Sequence, residues 1–219
     1  MPRRALKWLC SIFLLWGAIL MLAASHAAAV QLQLGVAGLN LTSSPETDGT
    51  TTYMPFIAIG QNSRNHIGLW FEAGYLDYIV NKSGTRTNLA LSQGTIDITG
   101  TSLALLLVRR FEDIAVRVGG GTIQYQFKNK VSSSVQAGLA SVGVTNYQEK
   151  LENASGTQYV AGLDYYTSRN VFIGLEYRVI SLKPTVSYSA TFLGTPLTIA
   201  SQTADLSHSW TGIRVGYEF

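Results

Sequence analysis

Few residues of this chain could carry covalent or metal chemistry: one cysteine, Cys10, and three histidines, His26, His66 and His208. His208 stands between Ser207 and Ser209, a grouping that raises the question of a serine hydrolase, where base and nucleophile must lie within hydrogen-bond reach. Adjacent residues of an extended strand point to opposite faces, so neither serine is presented to His208. His66 falls in a polar turn and brings no second imidazole. Cys10 and His26 sit in an N-terminal segment that reads as a cleaved leader, and two histidines are too few for a transition-metal site. Gly119-Gly120-Gly121 lacks the Lys-Ser/Thr ending of a phosphate loop and reads as a place where a strand bends. No enzyme activity and no cofactor are expected.

What the chain does hold is a set of charges among glycines and apolar residues: Glu72, Arg117, Asp164, Glu176, Arg178, Arg214 and Glu218. Each sits in a stretch where polar and apolar residues alternate. Side chains at i and i+2 share one face of a strand, so these charges define one face and their apolar neighbours the other. The final stretch is the clearest. Thr211, Ile213, Val215, Tyr217 and Phe219 fall on one side, and Trp210, Gly212, Arg214, Gly216 and Glu218 on the other.

The elements that must position these charges follow from the rest of the chain. Residues 1–29 have a basic start with Arg3, Arg4 and Lys7, an apolar run from Trp8 to Ala24, and small residues at Ala27-Ala28-Ala29. That is the layout of a secretory signal peptide, leaving residues 30–219 as one domain. The whole chain has 16 basic and 13 acidic residues. Loss of the leader brings the basic count to 13, so the basic balance is a property of export and no evidence for nucleic-acid binding. Without Cys10 the mature chain has no disulfide or thiol chemistry.

No later stretch approaches the apolar length of a membrane helix, and alternation recurs instead. Strands are expected over 30–41, 51–60, 67–80, 95–109, 114–127, 157–166, from 171 to about 179, and over 205–219. The fourth is the least clear, because 103–108 is apolar on both faces. Links at 61–66, 110–113 and 167–170 are short and polar, while those at 42–50, 81–94, 129–156 and 184–204 are long. Three short turns and four long loops are what eight antiparallel strands require when both termini lie at the short-turn end. An export signal, low charge and an apolar face ending in aromatics favour a barrel in lipid over a soluble sandwich. Within the long links, 186–192 and 197–199 alternate around Gly194-Thr195-Pro196, 88–91 and 95–98 form a similar hairpin candidate, and 131–147 has room for another strand pair. Ten strands are the alternative.

Eight alternating strands, the export signal and the terminal Ile213, Val215, Tyr217 and Phe219 together resemble the small bacterial outer-membrane barrels of the OmpA and OmpX type. The resemblance implies an eight-stranded antiparallel up-and-down transmembrane β-barrel without a peptidoglycan-binding domain. It also implies that the barrel-assembly machinery recognises the C-terminal strand through those four residues. Partners implied are outer-membrane lipids and lipopolysaccharide, with a surface protein reached through the loops, and the barrel acts as a monomer. Some barrels of this size modify lipid A, and the deacylases among them place a His and a Ser two residues apart on one face, which His208 does not match. A lumen of eight strands is just wide enough to be filled by side chains. Similar depth pairs Glu176 with Arg214 and Arg117 with Asp164. A charge left alone there would cost about 3–5 kcal/mol. Two roles stay open: a rigid plug of ion pairs, with a structural or adhesive function carried by the loops, or a low-conductance pore whose pairs exchange partners.

Overall fold

A computed structural model describes residues 30–61, 67–82, 90–167 and 170–219. The expected leader, and the expected link at 61–66 apart from Gln61, lie outside the described residues. Eight strands close into an antiparallel barrel: β1 (Val30–Leu41), β2 (Thr50–Gln61), β3 (Ile67–Lys82), β4 (Gly94–Phe111), β5 (Ile114–Val131), β7 (Ala154–Tyr166), β8 (Val171–Ser181) and β11 (His208–Glu218). Neighbours follow chain order, and β1 meets β11 to complete the ring, with Leu34 opposite Tyr217 and Val36 opposite Val215. Phe219 extends the seam, its N–H donating to the Leu32 carbonyl at 2.8 Å. Each of the eight strands is paired on both sides, so the ring has no edge strand, as a membrane-spanning sheet requires.

The alternation expected from the sequence sets which way each side chain points. Val116 and Val118 of β5, Ile173 and Leu175 of β8, and Ile213 and Val215 of β11 face outward and are exposed. Outward aromatics gather at two levels, with Phe111, Tyr165, Tyr217 and Phe219 near the short turns and Tyr53, Tyr75, Tyr159 and Tyr177 higher up. Along β4 and β5 the exposed cations stand at the two ends, Arg109 beside the short turn and Lys128 and Lys130 beside the long loops. This is the pattern of a lipid band bounded by interfacial rings. In β4 the two apolar faces separate: Ala104, Leu106 and Val108 are buried in the lumen, while Leu105 and Leu107 face out.

Gly119-Gly120-Gly121 lies inside an unbroken β5 paired to both neighbours. Its glycines permit close approach. A Cβ on Gly119 or Gly121 would run into the carbonyl of Leu105 or Leu103 on β4.

The ten-strand alternative is overturned. The additional strands β6 (Val144–Leu151), β9 (Thr185–Phe192) and β10 (Thr195–Thr203) form a separate three-stranded sheet in the order β10-β9-β6. The expected 186–199 hairpin is therefore present, but it is paired to β6 and not to the barrel wall. In place of a second strand pair, 131–147 contains a helix, α1 (Ser133–Ser141), capped by the Ser132 side chain and followed by β6. The hairpin expected at 88–98 does not form as such: 88 and 89 lie outside the described residues, Ala90 and Leu91 are not strand, and 95–98 belong to β4. β3, β4 and β5 run to 16, 18 and 18 residues, longer than the roughly 9–11 a crossing needs, so they continue beyond the lipid band, where Lys82 of β3 and Asn129 of β5 contact Glu149 of the small sheet.

Candidate functional site

The lumen is layered. Near the short turns Phe56, Trp70, Leu106, Val108, Val160 and Phe172 form an apolar floor. Toward the long loops a second apolar cluster includes Met54, Leu76, Ile123, Tyr125, Ile180 and Trp210. Between them lie six charges, one acid or base projecting inward from each of β3, β5, β7 and β11 and two from β8.

Arg178 is the hub. Its Nε donates to Glu176 Oε1 at 2.6 Å, Nη2 donates to Glu72, and Nη1 reaches Ser102 Oγ at 3.0 Å and Gln158 Oε1 at 3.1 Å. Arg214 Nη1 lies 2.9 Å from Glu72 and 3.3 Å from Glu176. Arg117 Nη2 lies 3.2 Å from Glu176. Its Nε sits 2.8 Å from Asp164 Oδ2, a close charge contact off the N–H direction. Three carboxylates and three guanidiniums thus cancel. All six are nearly inaccessible to solvent, so mutual neutralisation is what makes their burial tolerable. The apolar floor also contributes: the Arg214 guanidinium lies 4.0 Å from the Phe56 ring centroid, within cation–π range.

The pairs expected from depth, Glu176 with Arg214 and Arg117 with Asp164, are both in contact here. Glu218 stands apart from the six. At the short-turn end it accepts from Tyr166 Oη at 2.7 Å and Gln33 Nε2 at 2.8 Å, and Arg110 approaches to 3.4 Å while lying over the Tyr166 ring. Sequence reasoning missed Ser102, Gln158, Gln33, Tyr166 and Arg110. The first four have the inward parity of their strands and could have been found by asking which neutral groups complete the hydrogen bonds. Ile213, Val215, Tyr217 and Phe219 line the outer face of the seam strand, with the Tyr217 and Phe219 rings 4.7 Å apart.

His208 points inward beside Tyr125 and Trp210, and its Nδ1 is engaged by the Leu206 carbonyl at 2.7 Å.

At the long-loop end another buried carboxylate organises the mouth. Glu149 of β6 receives Lys82 Nζ at 3.1 Å, the Ser92 N–H at 2.9 Å and Tyr147 Oη at 2.9 Å. Burial alone would raise its pKa, but the Ser92 hydrogen bonds, the Lys82 charge and the Tyr147 hydroxyl together hold it below the ordinary carboxylate value. Glu46 accepts the N–H groups of Ala90 and Leu91 at 3.0 and 3.2 Å. There burial wins and the pKa is raised. These two acids tie the end of the β3–β4 link to the barrel rim.

Comparison with solved structures places this architecture among known barrels. The crystal structure of the outer membrane protein OprG from Pseudomonas aeruginosa is 15% identical, with a TM-score of 0.59, over 89% of this chain and 97% of that one. The N-terminal β-barrel domain of OprF, also from Pseudomonas aeruginosa, is 12% identical over 86% and 97% of the two chains, with a TM-score of 0.48. The E. coli outer membrane protein W is 15% identical over 89% and 100%, with a TM-score of 0.47. Among curated proteins nothing matches. The family described as outer membrane protein beta-barrel domain matches residues 12–219, nearly the whole chain, and the chain belongs to that family, among the small eight-stranded barrels of the OmpA and OmpX type.

Proposed function

We propose that this chain is a non-enzymatic, integral barrel of the bacterial outer membrane whose lumen is structural and whose long-loop end is an interaction surface. In this reading residues 1–29 are removed on export, and the barrel-assembly machinery engages Ile213, Val215, Tyr217 and Phe219. The observation that carries it is the neutral layer of six buried charges held between two apolar layers. A water-filled path would have to break several ion pairs at once, each break leaving an uncompensated charge at a cost of about 3–5 kcal/mol.

The surface role rests on β10. All nine of its residues are exposed, none is charged, and one edge of the small sheet ends there. Such an edge offers unpaired N–H and C=O groups to an extended partner. Replacing 186–199 by a tight turn should leave the barrel folded and abolish attachment of expressing cells to host or neighbouring cells. Unchanged attachment would end the adhesive reading.

A second reading, a low-conductance pore, is favoured by one feature: Glu72 and Glu176 each contact three guanidiniums, so partners have others to exchange with. Planar-bilayer recording of refolded protein separates the two, because a plug gives no current steps. Mass spectrometry of lipid A after incubation with the protein tests the absence of acyl-chain chemistry.

A further inference from the structure

The loop-end sheet and α1 enclose something the lumen does not need. A cleft of about 900 Å³ opens between α1, the upper end of β5 and β6, within the roughly 300–1,000 Å³ typical of small-molecule sites. Its walls combine three chemistries. Phe127 and Tyr147 supply aromatic surface, with Val131 and Leu151 as aliphatic neighbours. Four residues with side-chain amides are among those that line it: Asn129, Gln136, Gln148 and Asn153. An amide donates and accepts at once, which suits hydroxyl groups that do the same.

Charge at this cleft is cancelled locally. Lys130 lies 3.3 Å from Asp97, Lys150 and Glu152 line the cleft together, and Glu149 is neutralised by Lys82. Neither an anion nor a cation is selected. One amide of the wall is already committed within the protein. Asn129 Nδ2 donates to the Glu149 carbonyl and carboxylate at 3.0 and 3.2 Å, while its Oδ1 is out of water with no donor. Such a group lacks a hydrogen bond it would normally have.

We propose that this cleft binds a neutral sugar unit of an oligosaccharide. The C–H face of the ring packs on Phe127 and Tyr147, and the hydroxyls exchange hydrogen bonds with the accessible amides of Gln136, Gln148 and Asn153. The site is separate from the β10 edge. It rests on the proposed function only in requiring the long-loop end to face outward.

The test uses the full barrel refolded in an amine-oxide detergent, because sugar-headed detergents would compete. It is applied to an array carrying neutral hexose and N-acetylhexosamine oligosaccharides, their sialylated and sulfated counterparts, and unstructured peptides. Retention on neutral glycans is expected, weakened at least tenfold in Tyr147→Ala. Because Tyr147 also bonds Glu149, Gln148→Ala combined with Asn153→Ala serves as the second variant, both side chains being exposed, and heat-modifiable mobility verifies folding. No retention, retention of acidic glycans or peptides alone, or unchanged retention in the double variant would overturn the proposal. Retention by purified protein but not by intact expressing cells would leave the site standing and remove the outward orientation instead.

Discussion

Arg178 and Glu176 stand two positions apart on β8 and join at 2.6 Å between Nε and Oε1, so the strand's own pleat holds one charge beside its partner. Around this contact Glu72, Asp164, Arg117 and Arg214 complete the neutral layer. Replacing Arg178 by Ala leaves Glu72 and Glu176 short of a guanidinium. A loss of about 3–5 kcal/mol is expected, measured as a shift in the urea midpoint of the refolded barrel. The pair Glu72→Gln with Arg178→Met should cost less than the single change, because charge is removed from both sides.

Depth in the lipid band makes a second prediction. Leu175 faces outward about four residues above the short-turn end of β8, close to the midplane of a band roughly 25 Å tall. Leu175→Arg should cost about 2–4 kcal/mol. Leu197→Arg on β10, also exposed but in the loop-end sheet, should change barrel stability by less than about 0.5 kcal/mol. Equal effects on unfolding in lipid vesicles would refute the assignment of the band.

Gly121 faces the Leu103 carbonyl too closely to accept a side chain, and the Ala104 Cα lies 2.8 Å from where its Cβ would be. Both obstacles are backbone, so a rotamer change gives no relief. Gly121→Val is expected to destabilise by more than about 3 kcal/mol, read as loss of the heat-modifiable band. Gly138→Ala, with open space around it, should be neutral or slightly favourable because it lies in α1.

Acidification should loosen the mouth before the wall. Glu149 has a folded pKa below its unfolded value, so its contribution is present above the unfolded pKa, near 4.5, and is lost as pH falls through the folded value. Amide exchange at Ser92, whose N–H donates to Glu149, should therefore accelerate below about pH 4.5 while amides of β8 and β11 stay protected. Glu149→Gln should abolish that pH dependence. An exchange rate at Ser92 indifferent to pH beyond the intrinsic chemistry would contradict the arrangement.

Phe219 and Tyr217 together offer an exposed aromatic end to the seam strand. Phe219→Ser should lower the amount of protein in the outer membrane several-fold in cells, yet leave refolding of purified protein into micelles nearly unchanged. A parallel fall in both would mean that Phe219 acts through barrel stability and not through recognition.

Much of this architecture is legible in the order of the amino acids. The two-residue period of β1, β8 and β11 assigns inward and outward faces residue by residue, and the alternation of short and long links orders the strands. The same parity brings Glu176 to Arg214 and Arg117 to Asp164. Glu218 has the parity of the central network but not its height, since parity gives the face and a depth estimate cannot say which layer a residue joins once the strands tilt. β9 and β10 are readable as strands yet not as part of a separate sheet with β6, because alternation alone does not name a strand's partner.

By itself, then, the sequence determined an antiparallel sheet of alternating strands and the sidedness of most barrel residues, because side-chain direction in a strand is a local property of the pleat. The tertiary structure alone decided that Glu72 meets Arg178 from across the barrel, that Tyr166, Gln33 and Arg110 gather on Glu218, and that α1 and β6 frame a cleft above β5. Those relationships depend on shear and closure, which set the relative height of residues far apart in the chain. Closure at the seam that Phe219 completes fixes that height.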